Sequence, residues 1–346
     1  MRAPDFWWAR EPDFRAAALA PLAALYGAVA ARRMAGKGVA VDAPVICIGN
    51  FVAGGAGKTP TALAVARVLR QLGERPFFLS RGYGASRTHR TPLRVDFMRH
   101  DAGQVGDEPL LLGREAPTIV CADRIAGAQA CVRAGASAIV MDDGLQNPAL
   151  LKDLAIAVID AGAGVGNGLC IPAGPLRAPL EAQFAHIDAV MLIGGKNLGF
   201  GLGQAVADEA RAHSIPTLTG YLAPDRQQAA LLSGRRIVAF AGIGRPEKFF
   251  ETLRQTGAVL AASHAFADHH VYTKTELEHL RAQAHSQDAL LVTTAKDRVR
   301  MGAPSDIQAL DLHVLDLHVL DVALTPDEPG DLEDLLTQGL ARARRR

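Results

Sequence analysis

The sequence predicts an α/β protein built on a parallel sheet flanked by helices, with a second, smaller α/β domain behind it and a membrane-interface helix in front. Three observations carry this reading. From Ala43 to about Ile193 short apolar runs alternate with helical patterns, each run bounded by Gly, Pro or Asp, the rhythm of βαβ units whose strands are buried on both faces. A polar stretch around Pro224–Gln228 then precedes a fresh set of such units. The first forty residues stand apart, holding both tryptophans with six basic residues against three acidic ones. The expected divisions are therefore 1–40, 41–225 and 226–346.

In chain order, Ala16 to Ala31 carries no charge, but sixteen residues interrupted by Pro21 and Gly27 fall short of the roughly twenty that span a bilayer. No small-residue cleavage pattern follows the basic start, so the segment does not read as a signal peptide. Trp7 and Trp8 beside Arg2, Arg10 and Arg15, with Arg32 and Arg33 closing the helix, fit an interfacial anchor with aromatic rings at headgroup level. An ordinary helix packed on the protein core fits equally.

Strands are expected near Val45–Ile48, Phe77–Ser80, Thr118–Cys121, Ala138–Met141, Ala155–Ile159 and Ala189–Ile193. Between them Pro60 suits the first turn of a helix ending at Gly73, and Asp123 suits the cap of one ending at Gly135. In the second set Ile237–Ala241 reads as a strand and Pro246–Thr256, closed by Gly257, as a helix. Thr273 with Glu276 makes a capping box for the next helix, and Leu290–Thr293 is another strand candidate. The duplication LDLHV at Leu310–Val319 is too short for a repeat architecture. Its odd period would swap strand faces between copies, and it reads as a local oddity without function.

The 346 residues suffice for two domains with their own cores. Lys plus Arg (37) nearly cancels Asp plus Glu (36), which argues against nucleic acid as the main partner. Cys47, Cys121, Cys131 and Cys170 lie in apolar or helical patterns without CxxC spacing. That suggests buried reduced thiols and a cytoplasmic location rather than a zinc site.

The strongest chemical signal is Val45-Ile-Cys-Ile-Gly-Asn-Phe-Val-Ala-Gly-Gly-Ala-Gly-Lys-Thr59, an apolar strand entering a glycine-rich turn and then a helix. This is the context of a phosphate-binding loop, and it makes the main domain P-loop NTPase-like. Over Val52, Ala53, Gly54, Gly55, Ala56 and Gly57 the backbone amides can turn inward on phosphate oxygens; Lys58 reaches the β/γ-phosphates and Thr59 ligates Mg2+. Val52 stands where the strict pattern has its first glycine. The companion signal is Ala-Ile-Val-Met-Asp142-Asp143-Gly144, a strand delivering two carboxylates at its C-terminal end. In P-loop enzymes such an aspartate holds the Mg2+ that bridges nucleotide phosphates, although paired acids also occur in plain turns.

Phosphoryl transfer further needs a group near the attacking hydroxyl and cations for the moving phosphoryl group. Val105-Gly-Asp107-Glu108-Pro109 puts two acids before a helix, as a simple N-cap would. Asp268-His269-His270 suits either a metal site or surface histidines. Arg81 in Ser80-Arg-Gly-Tyr-Gly84 and Arg177 in Pro172-Ala-Gly-Pro-Leu-Arg177 follow strands in glycine- or proline-rich turns, able to grip phosphates or pair with acids.

In joint order these segments resemble the tetraacyldisaccharide 4′-kinase family, the lipid A 4′-kinases of Gram-negative bacteria. The likeness is carried by Gly-Asn-Phe-Val-Ala-Gly-Gly-Ala-Gly-Lys-Thr-Pro (49–60), Ser-Arg-Gly-Tyr-Gly (80–84), Val-Gly-Asp-Glu-Pro (105–109), Ala-Asp-Arg (122–124) and Asp-Asp-Gly-Leu-Gln (142–146). Gly-Asn-Gly (166–168), Pro-Ala-Gly-Pro-Leu-Arg (172–177), Gly-Ile-Gly-Arg-Pro-Glu-Lys-Phe-Phe (242–250) and Phe-Ala-Asp-His-His (266–270) complete it. The resemblance implies transfer of the ATP γ-phosphate to the 4′-hydroxyl of a tetraacyldisaccharide 1-phosphate, giving lipid IVA. It implies Asp107 as base with His269 hydrogen-bonded to it, Lys58 and Thr59 in their P-loop roles, and Asp142, Asp143 and Glu108 serving Mg2+. Arg81, Arg124 and Arg177 become candidates for holding ATP or substrate phosphates. A tetraacyl substrate lives in a bilayer, so the resemblance favours peripheral attachment at the cytoplasmic face of the inner membrane.

Three positions depart from the family pattern: Asn147 where histidine usually follows, Ala178 in place of an acid, and Ala295 in place of glutamate. Two rivals remain at this level, a membrane-recruited P-loop switch ATPase and a non-catalytic nucleotide-binding module. The early-loop lysine of many switch ATPases is absent, because Ala53 holds that place.

Overall fold

A computed structural model describes residues 3–194, 201–301 and 317–346. The chain opens with a 3-10 turn over Asp5–Trp8 and helix α1 (Phe14–Met34), then alternates β1 (Val45–Gly49), α2 (Lys58–Gln71), β2 (Pro76–Ser80), β3 (Leu93–Arg94), α3 (Ala102–Val105), α4 (Asp107–Glu115) and β4 (Thr118–Val120). It continues through α5 (Arg124–Arg133), β5 (Ala138–Asp142), β6 (Leu154–Asp160), α6 (Leu180–Phe184), β7 (Ala189–Ile193), α7 (Leu202–Ala212), β8 (Thr217–Pro224) and α8 (Arg226–Leu232). The second set comprises β9 (Arg236–Ala241), α9 (Pro246–Gln255), β10 (Val259–Ala265), α10 (Lys274–Ser286), β11 (Leu290–Thr294), α11 (Ala295–Arg300), β12 (Leu317–Leu320), β13 (Val322–Pro326) and α12 (Pro329–Ala343). The duplicated pentapeptide, apart from its last three residues in β12, lies outside the described residues.

One sheet runs β13-β8-β7-β6-β1-β5-β2-β4-β3 and the other β10-β9-β11-β12. Seven central strands of the first are parallel; β13 and β3 pair antiparallel at its edges. The strand runs are apolar throughout because both faces are covered: Val45 and Cys47 face one core, Ile46 and Ile48 the other. Next to β1 the order switches, with β5 on one side and β6 on the other. That switch opens a crevice beyond the strands' C-terminal ends, where ligands bind in open α/β sheets.

The expected domain division is corrected. Assigning all of 226–346 to the second domain fails at the C-terminus, because β13 pairs with β8 and Leu332, Leu336 and Leu340 of α12 complete a core of the first sheet. The second sheet is thus an insertion, and the short β13 gave no periodic signal to show the return. The tryptophans are partly buried against the protein: the Trp7 indole N–H donates to the Pro172 carbonyl at 3.0 Å, and Trp8 packs on the core beside Gly54. Asp13 caps helix α1, its side chain accepting from the amides of Arg15 and Ala16. It buries a stripe of Ala16, Ala23, Gly27 and Met34 and exposes Phe14, Leu22, Leu25, Tyr26 and Val29. At 21 residues it is longer than the uncharged run suggested, and long and apolar enough to cross a membrane by length and composition.

Candidate active site

The turn after β1 folds as a phosphate cradle because glycine permits it. Gly57 sits at φ 90° as the N-cap of α2, and a Cβ there would come within 2.7 Å of Ile193 Cδ1, so both the left-handed backbone and the packing demand glycine. Lys58 is buried at the start of α2, with Nζ donating to the Gly54 carbonyl at 3.3 Å. Asn50, fully buried, donates to the same carbonyl at 3.0 Å. Val52, in the place of the missing glycine, bridges Leu176, and the Ala53 amide donates to Pro175 at 2.8 Å. The Pro-Ala-Gly-Pro-Leu-Arg segment therefore braces the loop from outside.

Asp142 ends β5, and Asp143 follows at φ 51°. Arg177 grips Asp143 in a fork of 2.6 and 3.1 Å, and Lys58 Nζ lies 3.7 Å from it. Burial would raise the Asp143 carboxyl, but Lys58 and Arg177 hold it below the usual range. Asp142 is treated differently: both of its oxygens are buried without a hydrogen-bond partner. Burial, then the charges of Glu108 and Asp143, push its carboxyl up to about 7. A carboxylate with idle lone pairs beside a P-loop suits a hard divalent cation, so the residues fit Mg2+. Arg124 is buried close by, with Nη2 donating to the Asp142 backbone carbonyl at 3.4 Å and Nη1 unpartnered. Arg81 stands exposed just beyond β2.

Asp107 opens α4 after Gly106, whose φ of 90° and close approach to the Tyr83 carbonyl seat the Val-Gly-Asp turn on the Ser-Arg-Gly-Tyr-Gly turn. Its side chain is 3 % exposed. The second domain reaches it twice: His269 Nδ1 lies 3.1 Å from Oδ2, and Arg300 donates to Oδ2 from Nε at 2.8 Å and Nη2 at 2.6 Å. The Glu108 amide donates to Oδ1 at 3.0 Å. Burial alone would raise this carboxyl, yet the His269 hydrogen bond with Lys296 and Arg300 holds it far below the usual range. His270 turns away, 3.1 Å from Glu276 and stacked on Phe266. Glu108 meets Lys296 at 2.9 Å.

The candidates thus lie at the C-terminal ends of the first sheet's strands and on the turns that follow them, with Asp107 and Glu108 met from the second domain and Arg81 exposed. Sequence reasoning missed Lys296 and Arg300, although Thr294 and Asp297 form a helix-start signal that puts both on the face of α11 turned to α4. It also missed Asp160 at the end of β6, which meets Lys248 at 2.5 Å and Arg245 at 3.3 Å. The departures are local: the Asn147 side chain accepts from the Ala149 amide, buried Ala178 offers its carbonyl to Gln183, and Ala295 opens α11 behind the Thr294 cap.

Known proteins resemble this chain. A family model described as tetraacyldisaccharide-1-P 4′-kinase matches residues 15–341. The chain is 56 % identical over 328 residues to the tetraacyldisaccharide 4′-kinase of Methylobacterium sp. (strain 4-46), covering 95 % of each. It is 46 % identical to that of Bradyrhizobium diazoefficiens, covering 100 % of this chain and 98 % of the other. The fold is similar to a crystal structure of LpxK from Aquifex aeolicus in complex with ATP, with TM-score 0.70, 21 % identity and coverage of 94 % and 99 %. These likenesses favour a kinase over a switch ATPase, and with a match across nearly its whole length the chain belongs to the tetraacyldisaccharide 4′-kinase family.

Proposed function

We propose that the chain transfers the γ-phosphate of ATP to the 4′-hydroxyl of a tetraacyldisaccharide 1-phosphate in lipid A biosynthesis, with Asp107 as the proton acceptor. The carrying observation is the buried Asp107 carboxylate, met by His269 from the second domain at the crevice mouth. The bond from the 4′-oxygen to the γ-phosphorus forms, the bond to the β–γ bridging oxygen breaks, ADP leaves, and the hydroxyl proton passes to Asp107. Oδ2 already receives Arg300 and His269, so the less engaged Oδ1 is the receiving oxygen. Its low pKa keeps Asp107 ionised, and the loose transition state of phosphoryl transfer asks more for positioning and charge than for a strong base.

Lys58 and the amides of residues 54–57 hold the β- and γ-phosphates, the Ala53 amide expected to join them being taken by the Pro175 carbonyl, and Arg81 and Arg124 meet further phosphate charge. Asp142, with Thr59 and in reach of Glu108 and Asp143, would hold Mg2+, and the ion would supply positive charge against the phosphates. Arg177 acts by keeping Asp143 oriented beside Lys58. The exposed apolar face of α1 supports peripheral attachment to the cytoplasmic face of the inner membrane, with the buried stripe docked on the protein rather than in lipid.

The test is transfer of labelled γ-phosphate from Mg-ATP to tetraacyldisaccharide 1-phosphate in mixed micelles. Labelled lipid from wild type, and its collapse with Asp107→Ala, is the expected result. ATP hydrolysis without labelled lipid would sink the proposal.

A further inference from the structure

Helix α11 is six residues long, and one of its faces is devoted to α4 and its surroundings. Lys296 pairs with Glu108 at 2.9 Å, Val299 enters a cluster with Val105, Leu110 and Val120, and Arg300 pairs with Asp107. The spacing i, i+3, i+4 puts the three side chains on one face. The second domain thus docks on the first through a buried contact that includes the candidate base itself.

Arg300 is held from behind. Its Nη1 donates to Asp297 Oδ1 at 3.0 Å and to the Gly242 carbonyl at 2.5 Å. Asp297 is fully buried and saturated: Oδ1 also accepts from the Gly242 amide at 2.9 Å and the Tyr272 hydroxyl at 2.9 Å, and Oδ2 from the Thr294 hydroxyl at 2.6 Å. The guanidinium therefore has its Nη1 side fixed in the second domain and its Nε/Nη2 edge fixed on Asp107 Oδ2. A side chain this constrained sets the rotamer of its partner carboxylate.

We infer that Arg300 is a positioning residue for phosphoryl transfer: by loading Oδ2 of Asp107 when the second domain docks, it aims Oδ1 at the acceptor hydroxyl. This rests on the reading of Asp107 as the proton acceptor. Because the His269 amide donates at 3.1 Å to the same Gly242 carbonyl that accepts from Arg300, the loops after β9 and β10 are tied together and Arg300 and His269 arrive at Asp107 as one unit. Docking and base orientation are a single event.

The test uses the full chain in mixed micelles with Mg-ATP and tetraacyldisaccharide 1-phosphate, comparing Arg300→Ala, Arg300→Lys, Asp107→Asn and the double variant Asp107→Asn/Arg300→Ala. Thermal melts and ATP binding confirm folding. Arg300→Ala should lower kcat about 100-fold with KM for ATP within about threefold, and Arg300→Lys should recover about tenfold of that loss. The double variant should be no slower than Asp107→Asn alone, since the arginine acts only through that carboxylate. An inactive Asp107→Asn beside a folded Arg300→Ala with near wild-type kcat would overturn the inference and leave the base reading standing. Additive losses in the double variant, or loss of ATP binding that lysine does not recover, would overturn it in favour of a purely structural role. Full turnover by Asp107→Asn would overturn both readings.

Discussion

Asp107 and Asp142 are buried almost equally, at 3 % and 2 % exposure, yet the fold treats them in opposite ways. Around Asp107 it gathers Arg300, His269 and the Glu108 amide; around both oxygens of Asp142 it places no hydrogen-bond donor. A buried carboxylate with full partners is a fixed part, held ionised. One without partners is a seat, costly until a cation or proton fills it. On the function proposed, the difference separates the acid that would orient chemistry from the one that would receive an ion, a distinction that their shared residue type hides.

Truncating the two acids should therefore shift stability in opposite directions. Asp107→Ala strands the buried Arg300 and should cost about 3 kcal/mol of unfolding free energy, together with a loss in kcat of about 1000-fold; a denaturant midpoint equal to wild type would break the contrast. Asp142→Asn should abolish most turnover but stabilise the metal-free protein at pH 8 by on the order of 2 kcal/mol, since it removes an uncompensated buried charge. A less stable Asp142→Asn would show that the carboxylate has partners in solution.

The pH dependence sharpens the same comparison. Asp142 has its folded pKa raised from 3.8 to about 7, so between those values the folded protein holds a proton that the unfolded chain has released. Its stability contribution is present in acid and is lost as pH rises through about 7. Asp107, depressed in the fold, contributes above the ordinary carboxylate range and loses that only as pH falls below it. From pH 5 to 8 Asp107 is therefore flat and Asp142 sets a downward slope, which melts of metal-free wild type should show and Asp142→Asn should lack. The smallest effect is expected from Lys296→Ala, about 1 kcal/mol, because that pair with Glu108 is partly solvated.

Most of the first sheet was legible because doubly covered parallel strands are apolar along their whole length, and β1, β5 and β7 differ from the expected spans by at most one residue at an end. The P-loop was legible because strand, glycines, lysine and helix are contiguous. The edge strands β3 and β13 were not: they are two and five residues long, half exposed, and pair with partners whose identity no local pattern encodes. Arg300 was hidden for the same reason. A cation at a helix end reads as a solvated charge until tertiary structure supplies a carboxylate 193 residues away. Lys296 and Arg300 share a helical face in sequence, but nothing local says what that face meets.

The return of β13 to the first sheet has a consequence for how the chain is made. The strand pairs with β8, about a hundred residues earlier, and the Asp225 amide donates to the Asp321 carbonyl at 2.9 Å. The two chain crossings between domains thus lie side by side, forming a double-stranded pivot rather than a single flexible tether. A ribosome must therefore synthesise the whole inserted domain before the catalytic sheet can gain its last strand, and the nascent edge of β8 stays open until then. Loss of the final twenty-five residues would expose that edge and uncap the helix-covered core. Such truncations are expected to aggregate, while cuts in surface loops of the inserted domain leave the sheet closed.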